Sequence, residues 1–475
     1  MNNREKQEHS AVEMAQTDTQ TAQEIITNTG ICFDIECSTQ EEKADGNIVA
    51  DGTITSSDDP KATLSSYQYP TLELLRKADN DSVVIDMEEL TANKNRIVEV
   101  LSNYGVQVSS IKATVGPTIT LYEMKLAPGI RISTVKSLEE DIVPLLSVFG
   151  IRIIAPIPGK GTIGIEVPNK NPQIVTMESI LNSKKFKESK MALPLALGKN
   201  ISNEIFMVDL AKIPHLLVAG ATGQGKSVAL HAIITSLLYK KHPAELKFVL
   251  IDPKMVEFYI YKPLLNHFLA QIPQESDDDE PIITDVSKTV KTLNSVYQEM
   301  DDRFKLLKLA SVRRLEEYNE KYKNHQLNPE EGHRYLPYIV VVIDEYGDLI
   351  IGAGKRIGLL IARIAQLGRA VGIHMIIATQ RLTLDFITIP IKANFPGRMA
   401  FRVMSEFDSV TILDYRGANQ LVGNGDMLIL DNGKPVRVQC AFVDESEIIA
   451  VSEFIAKQQG YDGPYKLPEP VSKDG

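Results

Sequence analysis

The sequence predicts an α/β fold: a parallel sheet covered by helices, preceded by a small α+β domain and a disordered acidic N-terminal tail. Three observations predict it. Beyond Leu193, short and almost wholly apolar runs alternate with helical patterns, as in parallel sheets buried on both faces. A glycine-rich segment, Gly220-Ala221-Thr222-Gly223-Gln224-Gly225-Lys226-Ser227, stands between one such run and a helical stretch. Residues 1–70 hold four basic and thirteen acidic side chains with only short apolar islands, too little to offset the entropy of ordering.

Composition narrows the class. At 475 residues the chain has length for two or three domains. Its 43% hydrophobic and 24% charged content is that of a soluble globular protein. No stretch approaches the 18 or so consecutive apolar residues of a membrane span. Met1 to Ser10 is polar and lacks the apolar core of a signal peptide. Cys32, Cys37 and Cys440 make neither a disulfide framework nor a zinc site, so a reducing, cytoplasmic compartment is expected. Of the formal charge of −11, the first 70 residues account for −9. The nearly neutral remainder leaves room for a local basic surface.

In chain order, residues 1–69 form the expected acidic tail. Residues 70–190 alternate a helix (Leu90–Tyr104), two strands (Val106–Thr114, Thr118–Lys125), a helix (Ser133–Phe149) and two strands (Ile151–Pro156, Thr162–Val167). Met177–Lys187 reads as a short linking helix. Residues 191–460 carry apolar strands at Leu216–Ala219, Lys247–Ile251, Tyr338–Ile343 and Ile373–Ala378. Val286–Tyr322 reads as a helical hairpin, Ile357–Ala370 as an amphipathic helix, and Met399–Val443 as short strands. Ser276–Glu280 is an acidic surface turn, and 461–475 a polar tail.

Gly220 to Ser227 reads G-x-x-x-x-G-K-S between a strand (Leu216–Ala219) and a helix (Val228–Tyr239), the context of a phosphate-binding loop. Glycines let the backbone N–H groups turn inward as an anion nest at a helix N-terminus. Lys226 then reaches the β- and γ-phosphates of ATP, and the Ser227 hydroxyl holds Mg²⁺. The strand Val340-Val341-Val342-Ile343 delivers Asp344 and Glu345 to its C-terminal edge, where ligands of open α/β sheets lie. Asp344 suits the Mg²⁺ shell; Glu345 suits orientation and deprotonation of an attacking water. Gln380, in Thr379-Gln380-Arg381 at the end of the next apolar strand, is placed to sense the γ-phosphate. Arg363, Arg369, Arg381, Arg398 and Arg402 are all eligible to act from a neighbouring subunit. His215, His231 and His374 show no metal-ligand spacing and read as ordinary core or surface histidines.

Longer stretches carry a resemblance. They are Val115-Gly116-Pro117-Thr118-Ile119-Thr120, Lys125-Leu126-Ala127-Pro128-Gly129, Ser133–Asp141, Ala219–Ser227 and Ile251-Asp252-Pro253-Lys254-Met255. Tyr318-Asn319-Glu320-Lys321, Asp344-Glu345, Ala378–Arg381, Ile391-Lys392-Ala393-Asn394, Thr411–Asp414 and Gly425-Asp426-Met427-Leu428 continue the series. From about 70 to 455 the chain resembles the motor region of the FtsK/SpoIIIE DNA translocases. The resemblance implies a RecA-like motor domain behind an α domain, and a homo-hexameric ring around double-stranded DNA. It implies ATP-driven movement along the phosphate backbone in chromosome partition and cell division, which needs no base-reading motif. It also implies a membrane-tethering partner as one arrangement, since the family's membrane helices and winged-helix domain have no counterpart in this sequence. Lys392 and Arg398 are the DNA contacts to expect. Departures from the family pattern fall at Leu382, Ile389 and Pro390, and at Glu406 and Val410, where two basic residues are replaced. Two other functions stay open: a protein-secretion ATPase, and a nucleotide-binding assembly module without pumping.

Overall fold

The computed structural model describes residues 23–26, 32–36, 59–77, 86–146, 150–157, 159–273 and 280–469. Two sheets organise them. The smaller has β1 (Gln23–Ile26), β2 (Cys32–Glu36), β3 (Val108–Val115), β4 (Ile119–Leu126), β5 (Arg152–Ile154) and β6 (Ile163–Pro168), ordered β1-β2-β3-β4-β6-β5. Against it pack α1 (Met87–Asn103), α2 (Ile132–Ser137) and α3 (Glu139–Leu145). Asp86 caps α1 by accepting the Glu88 and Glu89 N–H groups, both at 3.0 Å. Leu90, Ile97, Val100 and Leu101 turn inward from α1. The single helix expected over Ser133–Phe149 is broken at Leu138, and 147–149 lie outside the described residues.

The acidic tail departs from the expectation of disorder in three places. β1 and β2 pair with each other, and β2 runs parallel to β3. Cys32-Phe33-Asp34-Ile35-Glu36 alternates strictly, so one face buries Phe33 and Ile35 although the segment is polar overall. Further on, Leu64, Tyr67 and Leu75 enter the larger core. Cys37 and the rest of the tail lie outside the described residues.

The larger unit adds β7 (Pro194–Asn200), β8 (Ile205–Asp209), β9 (His215–Ala219), β10 (Leu246–Ile251), β11 (Ala270–Gln271), β12 (Tyr338–Ile343), β13 (Ile373–Thr379), β14 (Gly397–Phe401), β15 (Asp426–Asp431), β16 (Lys434–Cys440) and β17 (Tyr465–Lys466). Nine of these form one sheet in the order β10-β12-β13-β9-β14-β15-β16-β7-β8. The first five run parallel and the rest antiparallel. Every residue of β9, β10, β12 and β13 is buried, which accounts for their apolar runs. The helices are α4 (Met177–Leu181), α5 (Lys184–Lys187), α6 (Lys226–Leu238), α7 (Val286–Leu309), α8 (Leu315–Lys323), α9 (Tyr346–Ala353), α10 (Lys355–Leu367), α11 (Ile389–Asn394), α12 (Glu406–Leu413) and α13 (Glu445–Ala456).

Packing places the division between the two units before Val175, earlier than the expected boundary at 190. Met177, Ile180, Leu181 and Phe186 belong to the larger core, so α4 and α5 are part of it. At the other end, β17 pairs with β11 and Leu467 is buried, so the first part of the expected C-terminal tail is held. Residues 470–475 lie outside the described ones.

A buried charge cluster joins the units. Arg437 on β16 donates to Asp426 at 3.0 and 2.6 Å and pairs with Glu166 on β6, which Arg152 also meets at 3.3 Å. Burial pushes the Glu166 carboxyl up, but the Arg437 and Arg152 guanidiniums outweigh it and hold the group below its ordinary range. Its contribution to stability is therefore complete above the ordinary carboxylate range and lost as the pH falls through the depressed value. Removing one partner of a buried pair strands the other. Arg437→Met is expected to cost about 3–5 kcal/mol in denaturant unfolding.

Candidate functional site: a phosphate loop faced by three acidic side chains

The loops that follow β9, β10, β12 and β13 emerge at the same edge of the sheet. After β9, the chain enters Gly220–Gly225 and then α6, as the loop pattern predicts. Gly225 has φ +116°, and a Cβ there would lie 2.7 Å from the Gly425 Cα. A Cβ on Gly220 would lie 2.7 Å from the Phe401 Cβ. Neighbouring segments brace the loop: the Ala221 N–H donates to the Arg402 carbonyl and the Gly425 N–H to that of Gln224, both at 2.9 Å.

Lys226, Asp344 and Glu345 meet beneath the loop. The Lys226 ammonium hydrogen-bonds Asp344 Oδ1 and lies 3.6 Å from Glu345 Oε2. All three are at most 4% exposed. Burial raises the Asp344 carboxyl above its ordinary range, against the opposing pull of Lys226. Glu345 adopts φ +53°, a left-handed conformation that is uncommon away from glycine. Its Oε1 accepts the Gln380 N–H at 3.0 Å and the Thr379 hydroxyl at 3.4 Å, and Lys254 lies 3.4 Å from Oε2. Such strain persists where surrounding contacts over-determine it, as these do.

Gln380 also touches the loop directly, since its Oε1 accepts the Thr222 hydroxyl at 2.7 Å. Sequence reasoning placed Gln380 at a strand end but not on Thr222. It also missed two side chains delivered by the turn after β10. The buried Asp252 carboxylate accepts the N–H groups of Lys254, Glu257 and Phe258 at 3.1, 2.8 and 3.0 Å. That fold-back sends Lys254 to Glu345 and Asp348, and Glu257 to the Ser227 hydroxyl at 2.6 Å. The His231 hydrogen bond, opposed by burial and aided by Ser227, holds the Glu257 carboxyl below its ordinary range. Asp252-Pro253-Lys254 at a strand end was visible as a motif; nothing in the sequence pointed to Glu257.

The residues fit a nucleotide with Mg²⁺. The backbone nest and Lys226 suit phosphates, and the Ser227 hydroxyl and Asp344 carboxylate are hard oxygen donors of the type Mg²⁺ takes beside phosphate oxygens. Among the described residues no group of three or more His, Cys, Asp or Glu side chains could hold a metal by themselves, so a cation here would depend on Ser227 and phosphate oxygens as well.

Lys392 and Arg398 do not join this cluster. Both pair with Asp414: Lys392 at 2.6 Å, and Arg398 in a close ion pair, with a further Arg398 bond to the Lys392 carbonyl at 3.1 Å. Of the arginines eligible to act between subunits, Arg381 lies 3.3 Å from Asp348, and Arg363 stacks over the Tyr297 ring. His215 and His374 are buried side by side, and burial pushes them down to about 3 and about 4.

A family model described as the FtsK/SpoIIIE family matches residues 176–383, and one described as the FtsK alpha domain matches 69–169. A protein of Haemophilus influenzae named DNA translocase FtsK is 42% identical over 407 residues, which are 82% of this chain and 75% of that protein. The chain belongs to the FtsK/SpoIIIE family. A Chlorobaculum tepidum protein of the same name is 49% identical over 413 residues, 86% of this chain and 50% of its own length. The chain thus spans about half the length of most curated relatives it matches. Among solved structures, the pCW3 conjugation coupling protein TcpA with ATPγS aligns at a TM-score of 0.52 and 24% identity, over 77% of this chain and 99% of that one. The cytoplasmic domain of the type VII secretion ATPase EccC of Thermomonospora curvata aligns at 0.52 and 22%, over 62% of this chain and 36% of its own. These likenesses show a shared P-loop ATPase fold in the FtsK/SpoIIIE chain described here. The predicted break point of the loop is its backbone contact with Gly425. Gly225→Ala is expected to lower stability by more than about 1 kcal/mol and to weaken binding of an ATP analogue, read by thermal unfolding and by titration.

Proposed function

We propose that the chain is an ATP-hydrolysing motor that moves along double-stranded DNA as a homo-hexameric ring, in chromosome partition and cell division. The observation that carries it is the convergence of Lys226, Asp344 and Glu345 under the phosphate loop, in a chain whose relatives are named DNA translocases. In this reading the loop N–H groups from Gly220 to Ser227 cradle the phosphates of ATP. Lys226 would leave its carboxylates for the phosphates, and Ser227 with Asp344 would hold Mg²⁺, which would supply charge neutralisation at the phosphoryl group. Glu345 orients and deprotonates the attacking water, held by Gln380, Thr379 and Lys254. Gln380 senses the γ-phosphate through Thr222.

We place the ring in the cytoplasm, where tethering to the membrane by a separate partner is one arrangement. Among the described residues no helix is long and apolar enough to cross one. The DNA-facing pair is Lys392 and Arg398, with Asp414 as the counter-ion that a DNA phosphate displaces. Glu406 and Val410 lie on α12, the helix that Asp414 caps at its C-terminal end. Glu406 is engaged by Arg416 at 3.2 Å.

Purified protein is expected to hydrolyse ATP faster with long duplex DNA than without it; a rate indifferent to DNA overturns the translocase reading. Glu345→Gln should lower turnover by about 10²–10⁴-fold while retaining nucleotide binding. On the DNA side, Lys392→Ala and Arg398→Ala should each weaken binding across all sequences and reduce the salt slope by about one. Asp414→Asn, which frees both cations, should strengthen binding. Unchanged salt slopes in both alanine variants would place the DNA contacts elsewhere.

A further inference from the structure

The phosphate loop is faced by a carboxylate that neither the loop motif nor the Asp344-Glu345 pair contains. Glu257 is brought there by the three N–H groups that Asp252 accepts, so its position is set by the β10 strand end. Its Oε1 accepts the Ser227 hydroxyl at 2.6 Å. Its Oε2 lies 3.5 Å from His231 Nε2, and His231 Nδ1 lies 2.9 Å from the fully buried Tyr261 hydroxyl. Ser227 and His231 stand four residues apart on α6, one above the other on the same helix face. Glu257 is thus clamped between two residues of one helix, with Tyr261 bracing the second.

A serine hydroxyl has one proton to donate and two lone pairs. To ligate a cation it must offer a lone pair and send its proton elsewhere. Among the carboxylates around the loop, Glu257 is the one that the Ser227 hydroxyl meets. We infer that Glu257 is a positioning residue for the cation site: it accepts the Ser227 hydroxyl hydrogen bond and so turns a Ser227 lone pair towards the phosphates. In this role it would act through Ser227 and touch neither nucleotide nor cation. His231 and Tyr261 fix the carboxylate that fixes the serine, a chain of outer hydrogen bonds of the kind that tunes metal ligands. The inference rests on the nucleotide reading of the loop and adds to it a residue supplied by a different strand.

The test uses the full chain and a fluorescent non-hydrolysable ATP analogue, titrated in excess MgCl2 and in excess EDTA. The readout is the ratio of the two affinities, the gain that Mg²⁺ confers. Glu257→Ala is expected to reduce that gain by roughly 10-fold or more, the usual cost of losing an outer-sphere partner. Glu257→Gln keeps an oxygen that can accept the serine proton, and it should recover most of the gain. In a Ser227→Ala background, Glu257→Ala should have no further effect on the gain. An unchanged gain in Glu257→Ala overturns the inference. So does a Glu257→Gln variant as impaired as the alanine, because the carboxylate would then act as a ligand or a charge. A wild-type protein that fails to bind the analogue in either buffer overturns the nucleotide reading itself, an outcome distinct from the other two.

Discussion

The structure turns on a lysine and two carboxylates that share a site closed to water. Burying an ion alone costs several kcal/mol even after relaxation, and a pair recovers that only with good geometry and further hydrogen bonds. Lys226 is matched to Asp344 and Glu345, and Lys254 reaches in from the rim to Glu345. Two positive and two negative groups balance. Thr379 and the Gln380 N–H satisfy the remaining Glu345 lone pairs. In the nucleotide reading proposed above this cluster would exchange partners: phosphates that claimed Lys226 would leave the Asp344 carboxylate for a divalent cation to neutralise.

That exchange needs four chain segments at one place, and the strand order supplies them. β10, β12, β13 and β9 are consecutive neighbours and all parallel, so each loop leaves the sheet on the same side. Asp252, Asp344-Glu345, Gln380 and the phosphate loop follow these strands in turn. The sheet therefore converts residues nearly 160 positions apart, such as Thr222 and Gln380, into hydrogen-bond partners.

Much of this was legible in the sequence because burial on both faces leaves a plain trace. The runs at Leu216–Ala219, Tyr338–Ile343 and Ile373–Ala378 mark β9, β12 and β13 almost to the residue. The glycine spacing and the acidic pair after β12 pointed to Lys226, Asp344 and Glu345, which the fold brings together. What the sequence hid was set by tertiary contact. Glu257 is placed by three backbone bonds to Asp252, which have no sequence signal. Phe33 and Ile35 sit in a polar stretch whose alternation spans only five residues. α4 and α5 read as a linker because their apolar residues are few, although Met177, Ile180, Leu181 and Phe186 are all fully buried. Lys392 and Arg398 read as free cations because Asp414, 22 and 16 residues on, is brought to them by the packing of α12 against β14.

The segment from Gly417 to Asp426 lies between the phosphate loop and the smaller unit, in contact with each. On one side, Gly423 and Gly425 abut Gln224 and Gly225 so closely that a Cβ on Gly423 would lie 2.5 Å from the Gln224 Oε1. On the other, Gly417 packs on Arg152, Gln420 donates to Glu139 at 3.1 Å, and Val422 fills the space beside Gly150. Contacts this close resist compression as an organic crystal does. The segment ties the phosphate loop to the smaller unit through direct contact on both sides.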